Sequence, residues 1–248
     1  MIVLKSDHEL AIMRKAGKIL AESLQEVAKA VVPGVTLKEL DEIAEEAILS
    51  RGAKPGFKGL YDFPGTICTA INEQVVHGIP GRRKLEEGDI IGIDIGSLLD
   101  GYYSDMARTF AVGTIDEKAQ KLLEVTEASL YEGIKQAVVG NRLSDVSNAI
   151  QTYAESYGFS VVRDFVGHGI GSKMHESPQV PNFGKPGMGP RLRPGMTLAI
   201  EPMINIGSYE VLTKEDGWTV VTRDNSLSAH FEHTVAITPQ GPEILTSL

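Results

Sequence analysis

At 248 residues, with 42% apolar and 23% charged side chains, the chain has the make-up of a globular protein with room for a substantial core. A net charge of -9 and a pI near 5.2 argue against a nucleic-acid-coating surface, and the basic run from Arg82 to Lys84 reads as a solvated loop. Cys68 is the single cysteine, so an intramolecular disulfide and a cysteine-based zinc site are excluded and any metal must be held by Asp, Glu and His.

The opening MIVLKSDHELAIMRK has no long apolar stretch behind basic residues. It reads as neither signal peptide nor membrane anchor, which gives a cytoplasmic expectation. Ser6 and Glu9 have capping-box spacing, and Leu10, Met13, Leu20, Leu24 and Val27 then recur at helical intervals up to Pro33-Gly34. Thr36 and Glu39 repeat the signal ahead of a second helix through Leu40, Ile43, Ala44, Ala47 and Ile48, stopped by Gly52. The β-rich runs TICTAI, IIGIDIG and YYSDMARTFAVG follow.

The same order then recurs. Helices are predicted from about Asp116 to Val139 and from about Ser144 to Tyr157, followed by FSVVRDFVGHGIG, TLAIEPMI, WTVVTRD and AHFEHTVAIT. Gly34, Leu37 and Gly52 match Gly140, Leu143 and Gly158 at a spacing of 106, and Leu85, Gly88 and Asp94 match Leu192, Gly195 and Glu201 at 107. This register links helix stops to an acid, so the chain reads as a duplication. One catalytic domain over 1–248 is expected, in two related halves of about 1–113 and 114–248. Two helix-helix-sheet units sharing a mostly antiparallel sheet, helices on one face, make an α+β fold.

Asp94 lies among Ile90, Ile91, Ile93 and Ile95 in a run that otherwise reads as a buried strand, and a buried carboxylate needs a partner. Duplication gives it a counterpart in Glu201, across the junction of the halves. If the following turn centres on Leu99 and Asp100, Asp105 stands directly opposite Asp94 on one face; a bulge at Gly101 would shift the pairing by one residue and face the two apart. Alternation in AHFEHTVAIT puts Glu232, Thr234 and Ala236 on one face and Phe231, His233, Val235 and Ile237 on the other. His168 sits in VGHGIG, where flanking glycines let the imidazole approach other groups.

Taken singly, each of these residues has an ordinary structural role: a buried acceptor, a turn cap, an edge acid, a core histidine. Together, four anionic carboxylates and a neutral imidazole are neutralised by two divalent cations, and such a donor set suits manganese, iron, cobalt or zinc.

The ordered motifs NEQVVHGIP, GDIIGIDIG, GYYSDMARTF, VGHGIG, MHESPQVPNFG, LRPGMTLAIEPM, DGWTV and SLSAHFEHTVAIT closely resemble the type I methionine aminopeptidases, the short bacterial form of the pita-bread metallopeptidase fold. The resemblance implies removal of the initiator methionine from nascent chains when the second residue is small, by a hydroxide shared between two metal ions. It makes Asp94, Asp105, His168, Glu201 and Glu232 the metal ligands, Asp105 and Glu232 the bridges, and Glu201 a proton relay. His77 in VVHGIP would contact substrate near the scissile bond, and His175 in MHESP would hydrogen-bond the carbonyl oxygen. Cys68, Phe63, Met174 and Trp218 fall at the methionine pocket; Phe63 stands where many members carry Tyr, and Met174 where some carry Phe. Family expectation adds a monomer with a ribosome-associated partner, while the acidic charge and the lack of a long apolar segment at the start argue against contact with nucleic acid or membrane. The competing readings are a proline-directed peptidase of the same fold and a metal-free binding module that kept the fold and lost catalysis.

Overall fold

The computed structural model describes residues 1–248. Both predicted capping boxes form. The Ser6 hydroxyl accepts from the Glu9 N–H while the Glu9 carboxylate accepts from the Ser6 N–H, starting α1 over Asp7–Lys29. Thr36 and Glu39 do the same for α2, Leu37–Ser50. Asp116 caps α3, Glu117–Gln136, and the Arg142 N–H donates to Asp145 at the start of α4, Leu143–Ser156.

Helix α3 stops short of the expected Val139. Ala137 leaves helical geometry (φ -77°, ψ 52°), and the Asn141 amide donates to the Gln136 carbonyl, satisfying one of the acceptors a helix end leaves open.

Nine strands form the large sheet: β1 (Lys54–Pro55), β2 (Ile67–Ile71), β3 (Ile90–Leu99), β4 (Tyr102–Ala111), β5 (Gly167–Gly169), β6 (Glu176–Val180), β7 (Thr197–Ile200), β8 (Glu232–Thr238) and β9 (Gly241–Ile244). Its order is β1-β3-β4-β8-β7-β5-β6, with β2 also on β3 and β9 also on β8, and every pairing is antiparallel. Some predicted runs are interrupted. TLAIEPMI breaks at Glu201-Pro202, where proline has no N–H for a ladder, and Met203–Asn205 joins a separate three-stranded sheet with Ser160–Val161 and Ser228–His230.

The duplication is visible bond by bond. Gly34 and Gly140 have φ of 94° and 95°, and their N–H groups donate to Leu85 and Leu192. Gly52 and Gly158, each ending a helix, share a φ of 81°, a left-handed stop that glycine adopts without strain. Leu37 and Leu143 donate to Arg83 and Pro190, and Gly88 and Gly195 to Val112 and Ile237.

Each half builds its own core. In the first, Ile91, Ile93 and Ile95 pack with Leu20, Leu24, Leu40 and Ile48; in the second, Leu198, Ile200, Phe231, Val235 and Ile237 pack with Leu122, Leu130, Val146 and Ile150. Alternation turns Gly92, Asp94, Gly96, Glu232 and Thr234 toward the opposite face of the sheet.

Glu9 also accepts a 2.6 Å hydrogen bond from the Tyr102 hydroxyl of β4, which together with its cap bonds lowers its pKa from 4.5 to about 2. A depressed carboxyl contributes stability above its unfolded pKa and loses it as pH falls through the folded one. Glu9→Gln is therefore expected to melt below the parent at pH 6, with the difference closing as the pH is lowered toward 2; thermal melts across that range check it.

Candidate metal centre and active site

Strands β3 and β4 are joined by Asp100 and Gly101, both left-handed at φ 48° and 86°. A two-residue hairpin of this kind needs positive φ at both central positions, and Asp-Gly supplies them where Leu99 would not. The turn therefore lies one residue beyond the expected Leu99–Asp100 centre, and no bulge forms at Gly101. Asp94 pairs with Ala107 and Asp105 with Gly96, so the two acids are diagonal rather than opposite. Moving a turn by one residue moves the pairing by two, so both side chains still share a face.

The five predicted ligands come from five consecutive strands. Across β3, β4, β8, β7 and β5 the sheet presents Asp94, Asp105, Glu232, Glu201 at the end of β7, and His168. All five line one cavity of about 480 Å³, together with His77, His175, Cys68, Phe63 and Trp218. Asp105, Glu201 and Glu232 expose only 6%, 12% and 2% of their side chains. His168 Nε2 lies 3.8 Å from Asp105 Oδ2 and 3.6 Å from Glu201 Oε1, while its Nδ1 is 2.9 Å from the Gly169 carbonyl. Nδ1–H donating there leaves the Nε2 lone pair directed at the acids.

Burial and crowding set the charges. Desolvation pushes Asp94 up to about 7, and pushes Asp105 and Glu232 well up with help from the neighbouring carboxylates; Glu201 rises through burial. Desolvation also lowers His168 and His77 to about 4 and depresses His175, leaving neutral imidazoles at physiological pH.

Aromatic contacts shape the rest of the cavity. His175 lies edge-on to His168 at 4.5 Å and stacks with Tyr61 at 5.9 Å; His77, at a left-handed φ of 63°, stands edge-on to Phe165. Phe63 and Trp218 meet edge-to-face at 5.1 Å. Met174 does not reach the cavity wall. It is buried in the cluster with Phe57, Phe63 and Cys68, its methyl 2.8 Å from where a Cβ on Gly96 would lie.

Sequence reasoning missed His230. It precedes Phe231 and shares the face of Glu232 by the same alternation, and its Nε2 lies 3.6 Å from Glu201 and 3.9 Å from Glu232. Phe57 and Phe165, also on the wall, sit in irregular segments with no periodicity to betray them.

The profile of metallopeptidase family M24 matches residues 11–239. The chain is 61% identical over 246 residues to a methionine aminopeptidase of Clostridium perfringens, covering 99% of both chains. The chain belongs to metallopeptidase family M24, in its methionine aminopeptidase branch. A methionine aminopeptidase structure from Rickettsia prowazekii superposes with a TM-score of 0.98 at 44% identity over the whole of both chains. A Pyrococcus horikoshii prolidase superposes at 0.81 with 25% identity, and the present chain spans 64% of its length.

The residues of this aminopeptidase fit a divalent metal. Asp94 Oδ1, Asp105 Oδ1, Glu232 Oε1 and His230 Nε2 are buried with no hydrogen-bond partner, and ionised carboxylates are satisfied by cations or donors, neither of which the side chains here provide. Asp105, His168 and Glu232, and again Glu201, His230 and Glu232, bring ligating atoms within 4.8 Å of one another.

Glycine keeps the imidazole in register. A Cβ on Gly167 would lie 2.3 Å from the Ala199 carbonyl of β7. Gly167→Ala is expected to destabilise the fold by about 1–3 kcal/mol and to weaken Mn²⁺ binding by displacing His168, read by thermal melts and calorimetric titration.

Proposed function

We propose that the cavity would hold two divalent metal ions on Asp94, Asp105, His168, Glu201 and Glu232, and that it removes the initiator methionine from nascent chains whose second residue is small. The delivery of five ligand-type side chains by five consecutive strands carries this reading. Four carboxylates bring -4 and two divalent ions +4, so two ions neutralise the set where one leaves -2. Manganese, iron, cobalt or zinc all suit such oxygen and imidazole donors. Bound there, the ions supply Lewis acidity and a lowered water pKa.

The chain's own groups do the rest. Glu201 accepts and passes on the proton that the attacking water gives up. His175, beside His168, donates to the scissile carbonyl oxygen as it becomes anionic. His77, across the cavity, contacts the peptide near that bond. Cys68, Phe63 and Trp218 form an apolar wall for an unbranched thioether, with Met174 supporting it from behind. A monomer acting in the cytoplasm beside the ribosome would meet such substrates as they emerge.

Two outcomes test the chemistry. With Mn²⁺ or Co²⁺ added, methionine is expected from Met-Ala-Ser and Met-Gly peptides and nothing from Ala-Pro; the opposite pattern would overturn the assignment. Glu201→Gln is expected to lower kcat by about 10²–10⁴-fold while circular dichroism stays native.

The raised carboxyl pKa values give a pH signature. Carboxyls that hold protons more tightly when folded make the metal-free protein lose stability as pH rises from the unfolded value of 3.8 through about 7. Cations replace those protons, so the rise in melting temperature on adding Mn²⁺ is expected to be larger at pH 8 than at pH 5.5.

A further inference from the structure

The seam between β4 and β8 repeats itself. Backbone pairing covers only Ala107 with Glu232 and Met106 with His233. Two residues to either side of the Ala107·Glu232 pair, a threonine hydroxyl replaces the strand backbone. Thr234 Oγ1 donates to the Asp105 carbonyl at 2.8 Å and accepts from its N–H at 3.0 Å; Thr109 Oγ1 donates to the His230 carbonyl at 2.9 Å and accepts from its N–H at 2.9 Å. Asp105 and His230, Thr109 and Thr234, and Val112 and Ile237 are each 125 positions apart, and the last pair accepts from Gly88 and Gly195. By the symmetry of the halves, His230 occupies the place of Asp105.

Its side chain behaves accordingly. His230 is 3% exposed, and Nε2 has no hydrogen-bond partner. The distances of 3.6 Å to Glu201 Oε2 and 3.9 Å to Glu232 Oε2 exceed a hydrogen bond. They match the spacing of atoms about 2.0–2.2 Å from a common cation, which stand roughly 3–4 Å apart. His168 stands in the same relation, 3.6 Å from the other oxygen of Glu201. One carboxylate thus faces an imidazole from each side.

We propose that His230 is a sixth ligating residue of the metal centre, the second-half counterpart of Asp105, held in place by Thr109 as Asp105 is held by Thr234. This rests on the metal centre proposed above. It makes the centre a two-imidazole site.

Cobalt counts the imidazoles directly. In the Co²⁺-loaded protein, proton NMR in H₂O is expected to show two strongly shifted histidine N–H signals, both lost in D₂O. His168→Gln should remove one and His230→Gln the other, and the second variant should weaken Mn²⁺ binding by at least about tenfold, the lower end of what disturbing a ligand shell costs. Loss of the Thr109 hydroxyl in Thr109→Val should shift the His230 signal, with Thr109→Ser restoring it. A single shifted signal that survives His230→Gln would overturn the proposal and leave the centre standing. No Co²⁺ uptake by the parent protein would overturn the centre itself, and the proposal with it. The count is read on the parent protein, so it holds even if a variant does not fold.

Discussion

Negative charge concentrated in an apolar seam is the constraint around which the molecule is organised. Isolated burial of even one ionised carboxylate costs several kcal/mol in effective terms. Here four converge on one cavity, and Lys5, the buried amine in this part of the chain, is already committed to Glu176. Protons held by the raised carboxyls relieve part of the repulsion, and the strand backbone holds little against the rest, since β4 and β8 share just two residue pairs. What resists it is the hydrophobic packing on the other face, where each half anchors its strands to its own pair of helices. The cores are built separately, and the charge sits where they adjoin.

The cavity mouth has a different physical character. Tyr61, Asp62 and His77 are non-glycine residues in left-handed conformations, each a state that costs about 1–3 kcal/mol and persists only where surroundings enforce it. Tyr61, 68% exposed, lies over His175, so part of the entrance is made of backbone held away from its preferred geometry. The deep end is regular sheet. The predicted ligand positions thus lie on sheet strands or, for Glu201, at a strand end, whereas Tyr61 and His77 at the mouth hold left-handed backbone.

Much of this was legible because local and global signals agree. Capping boxes at Ser6 and Thr36, glycine stops at 52 and 158, and alternation about Asp94 and Glu232 are each short-range patterns with one physical solution. The hairpin turn lies one residue, and the pairing two, beyond the expectation because hydrophobic alternation fixes parity, not the turn; the demand for positive φ at both Asp100 and Gly101 decides the turn. Helix α3 was read too long, since Ala137 and Val138 are acceptable helix residues and only the Asn141 amide, from outside the pattern, ends it. His230 escaped notice for want of a neighbour: its chemistry appears only when Glu201, 29 positions earlier, is brought to 3.6 Å. Met174, which the resemblance puts at the methionine pocket, lies behind its wall, because depth within a wall depends on three-dimensional packing.

The pairing of Ala107 with Glu232 marks the point where the two halves meet in equivalent positions, and one bears a methyl group where the other bears a carboxylate. A residue on such an axis has no second copy elsewhere in the chain. The first half contributes Asp94 and Asp105 and the second His168, Glu201, His230 and Glu232, so the full set of donors exists only where the halves adjoin. A chain containing one unit would have to meet a second copy edge to edge before it could assemble a set of this size. Fusing two units into one polypeptide removes the concentration dependence of that encounter, and it frees the two sides to diverge, as methyl and carboxylate have done.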